Sequence, residues 1–200
     1  MANTTTPLTP RRVGRRTQSG HSSTIVLGVD PGTLATGYGV VSRNASGIRF
    51  LACGSIKNRA DMSMPVRLKN IHSGLCELIA QYHPDEFAIE SAFYGKNAQS
   101  ALKLGHARGV SILAAVSAEV PTTEYSPREI KKAVVGNGGA SKQQVQFMVK
   151  SLLGLSNSRM LLDASDALAI AICHVHRMAT PTAKYTDWAS FVSANPHRVR

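Results

Sequence analysis

Cysteine is scarce in this chain and odd in number. Cys53, Cys76 and Cys173 are its only three; they share no metal-ligand spacing, which argues against both a disulfide framework and a zinc site. They read as small buried hydrophobes kept reduced in a cytoplasmic compartment. Aromatic residues make up only 6%, so the core must be built from Val, Ile, Leu and Ala. No run approaches the roughly 20 apolar residues of a membrane span, which excludes insertion into a bilayer. Acidic residues are few as well: 12 against 23 Lys and Arg, a net charge of +11. With pI ≈ 10.0, the composition favours a polyanionic partner, nucleic acid or an anionic membrane surface.

What is present is enough for one domain: 200 residues, 43% of them hydrophobic. Residues 1–23 read as a disordered basic tail, rich in Thr and Ser, with Pro7, Pro10, Arg11, Arg12, Arg15, Arg16 and no acid. Such a composition also fits an organelle transit peptide, but the segment has no apolar helical face. A tail adding sequence-independent phosphate attraction is the better reading. Residues 179–200, with Pro181, Trp188 and Pro196, read as a second loose tail.

Between the tails, residues 24–178 read as α/β. Three β-branched runs, Thr24–Asp30, Gly37–Ser42 and Ile48–Ile56, predict an antiparallel meander. A helix follows over about Ser63–Tyr82, where Met64, Leu68, Ile71, Leu75, Leu78 and Tyr82 recur on one face. Further strands are expected at Glu86–Glu90 and Thr122–Tyr125, and helices at about Asn97–Ala118, Ser141–Leu153 and Asp163–Met178. Ser141 with Gln144 has the spacing of a capping box. No internal repeat is visible.

Four of the few acids sit where a carboxylate is least comfortable. Asp30 ends the run Ile25-Val26-Leu27-Gly28-Val29, Glu90 ends Phe87-Ala88-Ile89, and Asp163 and Asp166 open an apolar helix. Taken singly, each has an ordinary explanation. Asp30 before Pro31-Gly32 suits a turn, Asp163 suits an N-cap, and Glu90 could pair with a lysine. Taken together, those explanations leave Asp166 on an apolar face without a role. Buried carboxylates need positive compensation. Neighbouring strands would bring Asp30 and Glu90 to one sheet edge, and a three-residue step puts Asp163 and Asp166 on one helix face. The cluster offers hard oxygen ligands suited to Mg²⁺ or Mn²⁺. Two ions about 3.5–4 Å apart would support in-line displacement at a phosphodiester.

These residues carry a family resemblance. Leu27-Gly28-Val29-Asp30-Pro31-Gly32-Thr33 with Thr36-Gly37-Tyr38-Gly39-Val40 resembles the opening of RuvC-type Holliday-junction resolvases. So do Ala88-Ile89-Glu90, Phe93, Lys96-Asn97, Ala101-Leu102-Lys103-Leu104-Gly105 and Ala107-Arg108-Gly109-Val110. Val134-Val135-Gly136, Lys142–Gln146 and Asp163–Ala169 continue the match in order, from about Ile25 to His176. The resemblance implies a ribonuclease H-like fold, a five-stranded mixed sheet with helices on both faces. It implies a homodimer that nicks two opposing strands of a four-way DNA junction, acting with a RuvA–RuvB complex. By motif position, Asp30, Glu90, Asp163 and Asp166 match the family's metal-binding catalytic acids. Phe93 matches an aromatic that reaches into the junction centre, and Lys131 and Lys142 match basic residues near the scissile phosphate.

Other features of the chain have an ordinary structural reading beside a functional one. An aromatic pair such as Phe93-Tyr94 is most often core, but here it follows a strand end and precedes polar Gly-Lys-Asn, a setting that suits an exposed aromatic for base stacking. Lys131 and Lys132 could be a solvated face. The run Gly136–Gly139 lacks the Lys-Ser/Thr ending of a nucleotide-binding loop, although a helix start with Lys142 in its first turn makes a good phosphate seat. His174 and His176 lie two apart on a helix, point to different sides and read as structural. Gly105 and Gly109 permit close helix approach and mark a candidate dimer face. An actin-like kinase shares an Asp-x-Gly-Thr opening but needs two lobes, more than this length holds. A non-catalytic junction-binding scaffold and a smaller resolvase-like nuclease are the remaining rivals. The first is separable by metal-dependent cleavage; the second is disfavoured by Asp163-x-x-Asp166 and Lys96–Gly105.

Overall fold

The computed structural model describes residues 23–91, 98–155 and 160–179, together with Ala189, Val192 and Ser193. Strands β1 (Thr24–Asp30), β2 (Ala35–Asn44) and β3 (Gly47–Lys57) form the meander. Helix α1 (Met64–Tyr82) leads to β4 (Glu86–Glu90), and α2 (Ala98–Ser117) leads to β5 (Thr122–Tyr125). Then come α3 (Pro127–Val135), α4 (Lys142–Leu152) and α5 (Leu162–Ala179). The sheet order is β3-β2-β1-β4-β5. β1 pairs antiparallel with β2 and parallel with β4, and β4 pairs parallel with β5. The five-stranded mixed sheet is therefore as the resemblance implied.

Local chemistry sets the boundaries. β2 and β3 run further than their apolar cores because Asn44 pairs with Gly47 across a two-residue turn, where Gly47 takes φ +125°. The Ser141 hydroxyl accepts from Gln144 N–H, and the Gln144 side chain accepts from Ser141 N–H, fixing the start of α4. Helix α3 was not among the expected elements. It carries an equally complete capping box, Ser126 with Glu129, and Pro127 in its first turn. Asp163 lies within the first turn of α5, one residue inside its start, so it does not serve as an N-cap.

Period-two alternation divides β1 between two cores. Leu27 and Val29 face α1 and α2, among Ile71, Leu75, Leu78, Phe87 and Ile89. Val26 faces the other way, among Leu168, Ile170, Ile172, Val145 and Val149 of α4 and α5. On that second face Gly28, Gly37 and Gly39 form a bed without side chains. A Cβ on Gly28 would stand 2.3 Å from the Ala167 carbonyl oxygen, one on Gly37 2.1 Å from that of Asp163, and one on Gly39 2.7 Å from Leu168 N. The backbone of α5 thus rests directly on the sheet.

Overpacking at such a contact costs about 1–3 kcal/mol or more, because backbone rather than a flexible side chain must move. Gly28→Ala is expected to lower the free energy of unfolding by at least that amount, read from the urea midpoint at unchanged slope. An unaltered midpoint would mean that α5 can lift freely from the sheet.

Candidate active site

The elements bring together most of the residues singled out in the sequence. Asp30 and Glu90 end adjacent parallel strands, and both project to the α5 face, in phase with Gly28 and Ala88. Asp166 reaches the same place from α5. A cleft of about 220 Å³ is lined by Asp30, Glu90, Asp166, Lys131 and Lys142, with Pro127, Ile130, Val145 and Ala169 as its apolar wall. Asp163 stands beside it, close enough to Asp30 to disfavour its charge. Phe93, with Tyr94, lies outside the described residues.

The unpredicted helix α3 supplies Lys131 and the apolar residues Pro127 and Ile130. Its signal, Ser126-Pro127-Arg128-Glu129, is a helix start that the sequence reading passed over. Lys142, in the first turn of α4, places Nζ 3.2 Å from Asp166 Oδ2. That contact and the neighbouring carboxylates Asp30 and Glu90 hold the Lys142 ammonium above its ordinary pKa.

The electrostatics reveal the strain of the arrangement. Burial is the largest influence on Asp30, followed by repulsion from Glu90 and Asp166; together they raise its pKa from 3.8 to about 7. Glu90 is raised for the same reasons, burial first and Asp166 next, with Lys142 and Lys131 opposing. Neither carboxylate has a hydrogen-bond or ion-pair partner among the described residues. Each is a hard oxygen donor whose charge nothing nearby fully satisfies, the donor chemistry of a divalent cation site. Among the described residues no three His, Cys, Asp or Glu side chains converge on a single point as they stand; Asp166 is engaged with Lys142. The donor set fits a cation, with Asp166 shared between that role and the lysine.

The two histidines do not join the site. His174 Nδ1 and the Tyr125 hydroxyl are 2.8 Å apart in the core, and burial lowers the histidine's pKa. His176 Nδ1 lies 3.0 Å from the Ala133 carbonyl oxygen.

Comparison with known proteins follows the same line. The family described as crossover junction endodeoxyribonuclease RuvC matches residues 26–174. Crossover junction endodeoxyribonuclease RuvC of Salinibacter ruber is 47% identical over 176 residues, covering 88% of this chain and 98% of the relative. The protein of the same name from Shewanella frigidimarina is 55% identical over 152 residues, covering 76% and 87%. Among solved structures, Thermus thermophilus RuvC in complex with Holliday junction substrate superposes with a TM-score of 0.73 at 33% identity, covering 78% of this chain and 94% of that one.

The shift at Asp30 has a definite sign. Folded, the group keeps its proton up to about pH 7; unfolded, it releases it near 3.8. The folded state therefore binds more protons between those values, and stability is lost as pH rises through them. Without divalent cation, Asp30→Asn is expected to stabilise the protein more at pH 8 than at pH 5, by a difference on the order of 2 kcal/mol. Urea unfolding in chelator at both pH values measures it, and an equal effect at both would contradict the raised pKa. Added Mg²⁺ should stabilise the parent chain more at pH 8 than at pH 5, because protons compete for the same oxygens.

Proposed function

The chain belongs to the RuvC family of crossover junction endodeoxyribonucleases, and from that premise we propose that its cleft hydrolyses phosphodiester bonds in four-way DNA junctions. The observation that carries this reading is the convergence of uncompensated carboxylates and two lysines in a single cleft of a basic protein. Hydrolysis depends on a divalent cation. Mg²⁺, with Mn²⁺ as substitute and two ions per cleft, is the identity we assign. Asp30 and Glu90 would hold cation from the sheet, and Asp163 and Asp166 from the helix. When bound, it would lower the pKa of a water nucleophile and neutralise charge on the phosphate.

The chain's own groups do the rest. Asp30, central among the acids, orients the oxygens facing the scissile phosphate. Lys142, at the first turn of α4, and Lys131, on α3, supply positive charge opposite the acids, where a phosphate between the two sets is drawn in and held in line. Pro127, Ile130, Val145 and Ala169 narrow the cleft on one side and limit bulk water. The products are a 5′-phosphate and a 3′-hydroxyl, which a ligase can rejoin. Phe93, three residues beyond Glu90, is assigned to stack on a base at the junction centre.

Nicking two opposing strands needs two clefts, hence a homodimer. Helix α2 offers the surface: Leu102, Leu113 and Val116 are 62%, 55% and 57% exposed. Gly105 and Gly109 lie in the same stripe with open space around them, opposite the buried Ala107, Ser111, Ala114 and Ala115. A second copy laid along this stripe would bury it. Residues 24–178 form the nuclease domain, and the basic segment 1–23 adds phosphate attraction. No helix among the described residues is long and apolar enough to cross a membrane. We place the protein in the cytoplasm, acting with a RuvA–RuvB branch-migration complex in recombination and repair.

Asp30→Asn is expected to keep junction binding within a few-fold while single-turnover cleavage in Mg²⁺ falls by at least about a thousandfold, roughly 4 kcal/mol of transition-state stabilisation. Parallel loss of binding and cleavage would refute the assignment. Junction affinity should fall steeply between 50 and 200 mM salt, on the order of 10³-fold if six phosphates are contacted. For the dimer, Leu113→Asp is expected to give a monomer by sedimentation velocity with the fold intact; a dimer that survives it must use another face.

A further inference from the structure

The loop that continues from Asp30 is tied down from two sides. Residues Pro31–Leu34 connect β1 to β2. From inside, the fully buried Thr36 hydroxyl donates to the Gly32 carbonyl at 2.7 Å. From outside, Asn58, just past the end of β3, takes hold of two successive carbonyls. Its backbone N–H donates to Leu34 O at 2.8 Å, and its side-chain Nδ2 donates to Thr33 O at 3.1 Å. The same Nδ2 donates to Arg67 O on α1 at 3.2 Å, and Asn58 Oδ1 accepts from Asn70 Nδ2 at 3.0 Å. Both Nδ2 hydrogens therefore have acceptors, and Oδ1 has a donor. Arg67 secures the neighbouring backbone in turn, donating from Nε to Met62 O at 2.9 Å.

This is more anchoring than a short surface turn needs. β1 and β2 are already joined residue by residue, Asp30 opposite Gly37, so Asp30 does not need Asn58 to hold it. What Asn58 fixes is the stretch beyond. The Thr33 and Leu34 carbonyls are thereby turned towards Asn58 and held there. Leu34, four residues along the chain from Asp30, is left 48% exposed as an apolar surface. A loop free to swing those carbonyls outward would oppose the phosphate of an incoming strand.

We propose that Asn58 is a positioning residue for strand cleavage, holding Pro31–Leu34 as a rigid rest on which the scissile DNA strand is seated beside Asp30. The inference depends on the cleft being the cleavage site. Asn58 itself touches neither the cleft lining nor the reacting atoms. Its effect therefore lies in the alignment of the strand, where misplacement by about 1 Å can lower a rate about 100-fold. Most junction affinity comes from phosphate contacts spread over the basic surface, which the tie does not alter.

Two variants test it in the full-length protein. Asn58→Ala removes every side-chain contact; Asn58→Asp keeps the acceptor for Asn70 but loses both donations. In each, single-turnover cleavage of a four-way junction in saturating Mg²⁺ should fall about 10- to 100-fold, with the junction dissociation constant, measured in Ca²⁺, unchanged within twofold. Hydrogen exchange should quicken over residues 31–36 and stay the same over 162–179. If Asn58→Ala does not fold, Asn70→Ala, which removes one support of the amide, should show the same pattern with a loss of about threefold, under 1 kcal/mol. Cleavage within twofold of the parent, or binding lost in step with cleavage, overturns the proposal. So does unchanged exchange over residues 31–36. If the parent chain itself does not cut the junction, it is the reading of the cleft that fails; the exchange measurement still decides whether Asn58 holds the loop.

Discussion

The contact between the backbone of α5 and the three glycines of β1 and β2 sets the position of everything in the cleft. A helix normally stands off a sheet by the thickness of the side chains between them. Here Gly28, Gly37 and Gly39 remove that layer, and carbonyl and amide atoms of Asp163, Ala167, Leu168 and Ala171 occupy the space where Cβ atoms would stand. Asp and Glu have short side chains. Only with the helix this low can Asp166, on α5, share a cleft with Asp30 and Glu90, on strand ends. α3 and α4 then pack on α5 through Ile130, Val134, Val145 and Val149, so Lys131 and Lys142 take their places from the same contact.

The cleft works against the stability of the fold, and the sign of each perturbation shows how. Burial and mutual repulsion push Asp30 and Glu90 towards neutrality. Lys142 moves the other way, held in its charged form by Asp166 and the two strand-end acids. Two dry cores of Val, Ile, Leu and Ala on opposite faces of the sheet offset this local cost. Acids elsewhere in the chain are treated differently: Asp61, Glu124 and Glu129 each meet an arginine, whereas Asp30 and Glu90 in the cleft meet none among the described residues.

Much of this was legible in the sequence because it depends on short-range pattern. β1, β4 and β5 fall where β-branched runs stop at turn residues, and α4 starts where Ser141 and Gln144 said it would. The convergence of Asp30, Glu90 and Asp166 followed from strand ends and helical phase alone. Helix α3 escaped notice although Ser126 and Glu129 announce it as plainly. It is only nine residues long and directly follows a Thr-rich strand, too short a window for helical periodicity to emerge. The glycine bed was invisible for a different reason. Gly28 opposite Gly39, and Gly37 opposite Asp30, become a surface only once the register of β1 on β2 is known. Asn58 was unremarkable in sequence, since its acceptors come from 25 residues before it and 9 after.

The acids differ in how they are held, and the difference bears on how the cleft can act. Asp30 and Glu90 belong to hydrogen-bonded ladders, opposite Gly37 and Tyr125, and the chain beyond each strand end is also secured. Ser91 N–H donates to Tyr125 O at 2.8 Å after Glu90, and the Asn58 contacts follow Asp30. Asp166 is held through the backbone of α5, and its carboxylate, unlike those of Asp30 and Glu90, has a partner among the described residues, a lysine that is itself mostly exposed. An exposed ion pair of this kind is worth at most about 1 kcal/mol, far less than the interaction of a carboxylate with a divalent cation. The pair is therefore a weak contact, and it faces the two carboxylates that the sheet contributes to the same cleft.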